Sequence, residues 1–223
     1  FETPDLKEFW QIGQEVTDGD AIQKEYVDNI YVDILPEFNR IGGELYKAFE
    51  ESGAHLLRAV AIHMGIGEDY FAAKIHNGNS ILRAIHYPPI TKEPNSAMRA
   101  EQHEDINLIT LLVGASAEGL QAQDIHGNWV PIMPPAGHLV INVGDMLQRL
   151  TNNVLRSTPH RVVNPPKEKW GTRRFSIPFF LHPRSDMDLT CLDFCVTKEK
   201  PLAYEPITAG EYLMERLREI GLK

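Results

Sequence analysis

Residues 106–143 read INLITLLVGASAEGLQAQDIHGNWVPIMPPAGHLVINV, a succession of short apolar runs separated by residues that favour turns. Such runs, rich in Val, Ile and Leu and closed by Gly, Pro, Asn or Asp, are typical of β-strands. They predict four strands, at residues 106–113, 119–124, 128–133 and 138–143. Between the second and third strands, His126 and Gly127 predict a hairpin turn.

Three further strands are predicted around this stretch, at residues 80–87, 155–163 and 173–181. Pro88 and Pro89 end the first of them, because proline cannot donate to a strand ladder. A long series of short strands is typical of an antiparallel sandwich or a jelly roll. The sequence therefore predicts a mainly β protein with added helices, whose core is a double-stranded β-helix (jelly roll).

A helical pattern precedes the predicted strands. It begins near Pro36, a residue that a first helical turn tolerates, and it ends at Gly65 and Gly67. Apolar residues recur along it at steps of three and four, as expected for a helix face that packs on a core. These residues are Phe38, Ile41, Leu45, Phe49, Leu56, Val60 and Met64.

Shorter helical signals complete the organisation. Residues 68–76 predict a short helix, and Asp145 is the expected N-cap of a helix over residues 146–150. Thr208 is the expected cap of an amphipathic C-terminal helix that carries Tyr212, Leu213, Leu217 and Ile220. We therefore expect a single domain over residues 1–223. Within it, residues 1–79 form a helical support, residues 80–200 the jelly-roll core and residues 201–223 the C-terminal helix.

The composition narrows the classes of function. Of 223 residues, 43% are hydrophobic and 24% are charged, which is usual for one folded domain. The net charge of −9 argues against nucleic acid or an anionic membrane as the main partner, since both require a basic surface. Cys191 and Cys195 predict reduced thiols in a cytoplasmic protein, and no apolar run is long enough to span a bilayer. No signal peptide is expected, and Phe1 in place of Met suggests a trimmed chain.

His103 and Asp105 are candidate metal ligands, because residues two apart on a strand point to the same side. Imidazole and carboxylate suit a divalent first-row metal, and Glu104 would face the other way. His160, which follows Pro159 at the entry to an apolar strand, would complete a facial triad of two histidines and one carboxylate. Such a triad leaves positions open for a cosubstrate and dioxygen, whereas a structural zinc site would need a fourth protein ligand.

A second constellation lies on the last predicted strand, where Arg174 and Ser176 share one face. A guanidinium with a neighbouring hydroxyl suits bidentate capture of a carboxylate. The alternative is an exposed or ion-paired arginine without a ligand. The histidines other than His103 and His160 are expected to be packing or surface groups, and His86 is excluded as a ligand because it should face away from Tyr87.

Taken together, four segments in this order resemble the isopenicillin N synthase-like branch of the 2-oxoglutarate- and Fe(II)-dependent oxygenases. They are LRAIHYPP (82–89), QHEDINLITLLV (102–113), GHLVINVGDMLQRLTNNVLRSTPHRV (137–162) and RRFSIPFFLHP (173–183). The resemblance implies that Arg174 and Ser176 bind the distal carboxylate of 2-oxoglutarate and that Tyr87 lies close to the same cosubstrate. It also implies that iron is bound by His103, Asp105 and His160.

The same resemblance implies an enzyme that uses Fe(II), 2-oxoglutarate and dioxygen to oxidise a small organic molecule, most often by hydroxylation, with succinate and CO2 as coproducts. One departure is Ile85, which stands where many plant members have Asn. Two alternatives stay open. The first is an iron oxidase of the same fold that uses no 2-oxoglutarate, in which Arg174 holds the substrate itself. The second is a non-enzymatic jelly-roll binding protein that contains a structural metal or none.

Overall fold

A computed structural model describes residues 4–219 and residue 221 of the chain. The ends of the predicted domain at residues 1–3 and 222–223 lie outside the described residues, and so does Ile220 of the predicted C-terminal helix. Among the described residues, no helix is both long and apolar enough to cross a membrane. Cys191 and Cys195 are buried and unpaired.

Two antiparallel sheets form the core of the fold. The strands of the described part are β1 (Glu8–Gly13), β2 (Ile81–Tyr87), β3 (Ala100–His103), β4 (Ile109–Val113), β5 (Leu120–Gln123), β6 (Trp129–Pro131), β7 (Leu139–Val143), β8 (His160–Val162) and β9 (Arg174–Leu181). One sheet has the order β1-β2-β9-β4-β7 and the other has the order β3-β8-β5-β6. Strands that are distant in sequence are neighbours in both sheets, which is the arrangement of a jelly roll. The predicted fold class is confirmed.

Four α-helices surround the sheets in the described residues: α1 (Pro36–Met64), α2 (Ala72–Ile75), α3 (Asp145–Leu150) and α4 (Ala209–Glu219). The first begins at Pro36 and ends where Gly65 adopts a left-handed conformation (φ 70°), as the sequence predicts. Thr208 caps α4: its Oγ1 accepts from the Glu211 amide (3.3 Å), while the Glu211 carboxylate accepts from the Thr208 amide (3.0 Å).

The face of α1 that packs on the sheet is rotated from the predicted face. Its buried residues are Gly42, Tyr46, Phe49, Gly53, Leu57 and Ala61, whereas Ile41 is half exposed. Two glycines let the helix approach the sheet closely. A Cβ on Gly42 would lie 2.3 Å from Ile12 Cδ1, and a Cβ on Gly53 would lie 2.2 Å from Leu181 Cδ1. The predicted face is confirmed in part, because Phe49 is buried and Leu45, Leu56 and Val60 pack against the core. A pattern of apolar side chains does not detect Gly42 and Gly53, which have none.

Other boundaries also differ from expectation. The first third of the chain is not purely helical, because β1 pairs with β2 at the edge of the larger sheet. Within residues 155–163, predicted as one strand, only the three residues of β8 form a strand. The strand predicted at residues 106–113 begins at Ile109. Asp145 is the first residue of α3 and not its cap, since Gly144 holds the capping position. The short helix predicted over residues 68–76 is limited to α2.

Phe179 anchors α1 on the larger sheet, and its removal is expected to be costly. The side chain is fully buried, stacks on Phe49 (5.5 Å between centroids) and meets the edge of Tyr46 (5.1 Å). Phe179→Ala should lower the free energy of unfolding in urea by about 3–5 kcal/mol, because it leaves a cavity in the core. Phe175→Ala on the same strand is the control: Phe175 is 44% exposed and, in the part of the chain that the structure describes, stacks only on His86, so its loss should cost under about 1.5 kcal/mol. Equal losses in the two variants would contradict this account of the core.

Candidate active site

His103, Asp105 and His160 come together at one end of the smaller sheet. His103 ends β3 and His160 begins β8, and the two residues lie directly opposite each other in the antiparallel ladder. Their ring centroids are 4.3 Å apart. Asp105 Oδ1 lies 4.0 Å from His103 Nε2 and 3.7 Å from His160 Nε2. One nitrogen or oxygen atom from each of the three residues can be chosen so that all lie within 4.8 Å of one another.

The route by which Asp105 reaches this cluster differs from the predicted one. We expected His103 and Asp105 to share one face of a strand, but β3 ends at His103 and Asp105 lies in the connection to β4. The backbone carbonyl of Asp105 accepts a hydrogen bond from the Asp145 amide (2.7 Å), which ties this connection to the start of α3. Asp105 therefore reaches the histidines because the connection after β3 is held in place, and not because alternate residues of a strand share one face.

Two neutral donors hold the buried carboxylate of Asp105. Its Oδ2 accepts hydrogen bonds from Thr110 Oγ1 (2.6 Å) and Asn142 Nδ2 (2.8 Å), and Asn107 Nδ2 donates in turn to Thr110 Oγ1 (2.9 Å). Burial opposes ionisation, but the two nearby histidines and these hydrogen bonds outweigh it, so the pKa of Asp105 lies below its usual range. Because Oδ2 is occupied, Oδ1 is the oxygen that faces the histidines.

The backbone orients both histidines in the same way. His103 Nδ1 lies 2.7 Å from the Glu101 carbonyl oxygen, and His160 Nδ1 lies 3.0 Å from the Thr158 carbonyl oxygen. A carbonyl accepts only, so we assign the proton of each neutral ring to Nδ1 and the lone pair to Nε2. The pKa of His103 is lowered mainly by burial of its ring and in addition by the nearby His160, which favours this neutral form. Two imidazole nitrogens and one carboxylate oxygen thus fit a divalent first-row metal.

Arg174 forms a second centre, on the larger sheet. It starts β9 opposite Tyr87 of β2, and Ser176 lies opposite Ile85. The guanidinium is almost wholly buried and lies 4.9 Å from the Tyr87 ring centroid, while its Nε donates to the Ala117 carbonyl (3.0 Å). Its Nη1 is buried without a hydrogen-bond partner among the described residues, and burial lowers the pKa of Arg174. An orphaned, charged donor of this kind fits a carboxylate ligand.

Both centres border one cavity of about 190 Å³. The structure brings all six sequence-predicted site residues onto its walls: His103, Asp105, His160, Arg174, Ser176 and Tyr87. Much of the remaining wall is apolar and includes Ile85, Leu112, Leu120, Val162 and Phe180. His86 lies off this cavity, with its ring against Phe175 and its Nδ1 2.7 Å from Glu8 Oε1, and His55 and His63 are exposed.

Sequence reasoning missed the residues that support Asp105. Thr110 interrupts the apolar strand ITLLV, and Asn142 interrupts LVINV. A polar residue at an inward position of an otherwise apolar strand must find a hydrogen-bond partner when it is buried. That signal was available in the sequence. Arg83, which also borders the cavity, was missed because its strand pattern does not distinguish it from a surface arginine.

The chain matches known proteins over most of its length. Residues 78–183 match the family model of the 2OG-Fe(II) oxygenase superfamily. A 2-oxoglutarate-Fe(II) type oxidoreductase, hxnY of Emericella nidulans, is 31% identical over 93% of this chain, which spans only 61% of that relative. A 2OG-Fe(II) oxygenase family protein from Caulobacter crescentus is 49% identical, with a TM-score of 0.89 over 97% of this chain and 70% of its own. A Neurospora crassa protein, solved in complex with alpha-KG and thymine, is 31% identical, with a TM-score of 0.84 over 97% of this chain and 66% of its own.

Proposed function

Because the chain belongs to the 2OG-Fe(II) oxygenase superfamily, we propose that it is an Fe(II)- and 2-oxoglutarate-dependent oxygenase that oxidises a small organic molecule, most often by hydroxylation. One observation carries the proposal. A cluster of two histidines and one carboxylate shares a cavity with a buried arginine that has an unpaired donor. The complex of the Neurospora crassa protein with alpha-KG and thymine supports a small-molecule substrate for this chain.

In this proposal His103, Asp105 and His160 hold the iron, while Arg174 and Ser176 hold the distal carboxylate of 2-oxoglutarate and Tyr87 lies beside it. Iron held there would supply the oxidising chemistry, in which 2-oxoglutarate and dioxygen would be converted to succinate and CO2 as the substrate is oxidised. The protein supplies position. Asp105 offers Oδ1 because Thr110 and Asn142 occupy its Oδ2, and both histidines offer Nε2 because backbone carbonyls hold their Nδ1 protons. The apolar wall excludes water from the reacting groups.

We extend the proposal to the organisation of the chain: one domain over residues 1–223 that acts in the cytoplasm. A continuous hydrophobic core supports the single domain, since Tyr46 of α1, Leu111 of β4, Leu147 of α3 and Ala209 of α4 belong to one cluster of buried residues. Unpaired Cys191 and Cys195 support a reducing compartment.

The proposal is tested by adding 2-oxoglutarate to the Fe(II)-loaded protein without oxygen. We expect a metal-to-ligand absorption band in the visible range, followed by succinate when oxygen is admitted. A protein that binds iron without forming the band would be an oxidase that does not use 2-oxoglutarate. A protein that forms no band and consumes no oxygen would be the non-enzymatic alternative, and either result would reject the proposal.

Thr110→Val tests the support of the carboxylate. The change keeps the shape of the side chain but removes the hydroxyl that donates to Asp105 Oδ2. We expect the affinity for Mn(II) to fall by about 10- to 100-fold, as is typical when a group that orients a metal ligand is lost. Thr151→Val is the matched control, because Thr151 is equally buried but donates to the Leu147 carbonyl away from the cavity. A titration in which the two variants bind Mn(II) alike would contradict the assigned role of Thr110.

A further inference from the structure

Arg83 is a second cation on the wall of the cavity that holds His103, Asp105 and His160. It lies in β2, with its guanidinium carbon 4.7 Å from the Phe9 ring centroid and 4.9 Å from the Phe180 ring centroid. The guanidinium thus contacts two aromatic rings, which restrict its position. Such stacking orients an arginine fork without using its hydrogen-bond donors.

The hydrogen bonds of Arg83 leave part of that fork available. With the Gln11 amide oriented so that its oxygen faces Arg83, this oxygen accepts from Nη2 (2.6 Å) and Nε (3.0 Å). No acceptor contacts Nη1 in the described part of the chain, and Nη2 carries a second N–H. Two donors on adjacent nitrogens therefore remain, which is the set that binds a carboxylate bidentately.

Arg83 also has no acidic partner in an ion pair among residues 4–219 and 221. Lys7, another cation on the cavity wall, is paired with Asp5 (2.6 Å), and Arg184 is paired with Asp20 and Asp186. Burial lowers the pKa of Arg83, and the carboxylate that offsets this most is Asp105. A metal ion bound by Asp105 would neutralise that carboxylate. The charge of Arg83 is then left without compensation inside the cavity, an arrangement that costs stability and favours an anionic ligand.

Arg83 and Arg174 are well separated along the larger sheet. Arg174 lies opposite Tyr87, and Arg83 lies four residues before Tyr87 on β2, about 13 Å away at the rise of an extended strand. The Arg174 guanidinium contacts the Tyr87 ring, whereas the Arg83 guanidinium contacts the rings of Phe9 and Phe180, so the two arginines have different surroundings. The cavity therefore offers two separate places for an anion.

We infer that Arg83 recognises a carboxylate of the substrate, so that the substrate class is a small carboxylic acid. The inference rests on the proposed function, in which Arg174 is reserved for 2-oxoglutarate. Arg83 binds the acid through Nη1 and Nη2, and the apolar wall, which includes Phe180 and Leu112, contacts the rest of the molecule. The role of Arg83 is binding and orientation, and no proton or electron passes through it.

The experiment uses protein loaded with Mn(II) and 2-oxoglutarate, in which the Arg174 site is filled and no turnover occurs. The probes are small aliphatic and aromatic carboxylic acids, each paired with its neutral primary amide, and their affinities are measured by calorimetric titration. We expect wild-type protein to bind at least one acid about tenfold more tightly than its amide, because a charge-assisted bidentate pair is lost in the amide. Binding of 2-oxoglutarate to the Mn(II)-loaded protein is measured first. If 2-oxoglutarate did not bind, the proposed function would be rejected, and not the inference about Arg83 alone.

Arg83→Met should reduce the preference for the acid to about twofold or less, and Arg83→Lys should retain part of it, since lysine keeps the charge but not the fork. Arg149→Met is the matched control: Arg149 also lies between two aromatic rings, Tyr204 and Tyr212, but it does not border the cavity. It should keep the full preference. The inference is overturned if the preference persists in Arg83→Met, or if no acid binds the wild type better than its amide. Should Arg83→Met not fold, an undiminished preference in Arg83→Lys overturns it as well.

Discussion

Asp105→Asn is expected to abolish metal binding while the metal-free fold is kept. The new amide oxygen can still accept from Thr110 Oγ1 and Asn142 Nδ2, so the side chain keeps its orientation. Its NH2 group then takes the place of Oδ1 and donates toward His103 and His160, which lie 4.0 Å and 3.7 Å from that atom. A donor thus occupies the position where a metal needs an electron pair.

We expect the affinity for Fe(II) or Mn(II) to fall by on the order of a thousandfold or more, since loss of a supporting group alone costs about 10- to 100-fold. Succinate formation should fall with it. The thermal midpoint of the metal-free variant should lie at or below that of wild type near neutral pH, because the lowered pKa of Asp105 means that its surroundings favour the ionised carboxylate over a neutral group. The control is Glu104→Gln, one residue away and exposed, which should bind metal normally. If both variants bound metal as wild type does, Asp105 would not be a ligand.

The site could be predicted from sequence because its chemistry depends on rare residue types in a fixed order. The pair of His103 and Asp105 is weak evidence by itself, and the four segments that resemble the oxygenase family in the same order made the assignment with His160 specific. The reason given for their convergence was nevertheless wrong, since Asp105 lies beyond the end of β3. The identity of the cluster did not depend on that reason. Any tight turn that returns Asp105 toward β8 gives the same constellation.

The supporting structure was harder to predict, because its contacts are set by the approach of distant elements. The buried face of α1 includes Gly42 and Gly53, which let the helix approach the sheet because they have no side chain. A pattern of apolar residues does not detect these two positions. Strand β1 gave no signal because most of its residues are exposed at the edge of the sheet. The hydrogen bond between Asp105 and Asn142 joins the connection before β4 to strand β7, and it follows only from the register of β4 with β7.

Arg174→Met is expected to separate ligand binding from folding. In the absence of ligand, Arg174 is a buried charge with Nη1 unpaired, and its pKa is lowered by burial. Replacement by a flexible apolar side chain of similar length removes that desolvated charge at the loss of one hydrogen bond to Ala117. We therefore expect the free energy of unfolding of the ligand-free variant to be unchanged or higher.

Binding of 2-oxoglutarate should change in the opposite direction. Loss of one partner of a buried, hydrogen-bonded charge pair costs about 2–5 kcal/mol, so the Kd of the Mn(II)-loaded protein for 2-oxoglutarate should rise by about 30- to 5,000-fold. Arg174→Lys should fall between, because an ammonium cannot bind a carboxylate bidentately. The neighbouring Arg173 is exposed, and Arg173→Met should bind 2-oxoglutarate normally. A variant that is less stable without ligand yet binds 2-oxoglutarate as wild type would make Arg174 a packing residue. A variant that is as stable as wild type but no longer binds 2-oxoglutarate would show that the charge of Arg174 is needed for the ligand and not for the fold.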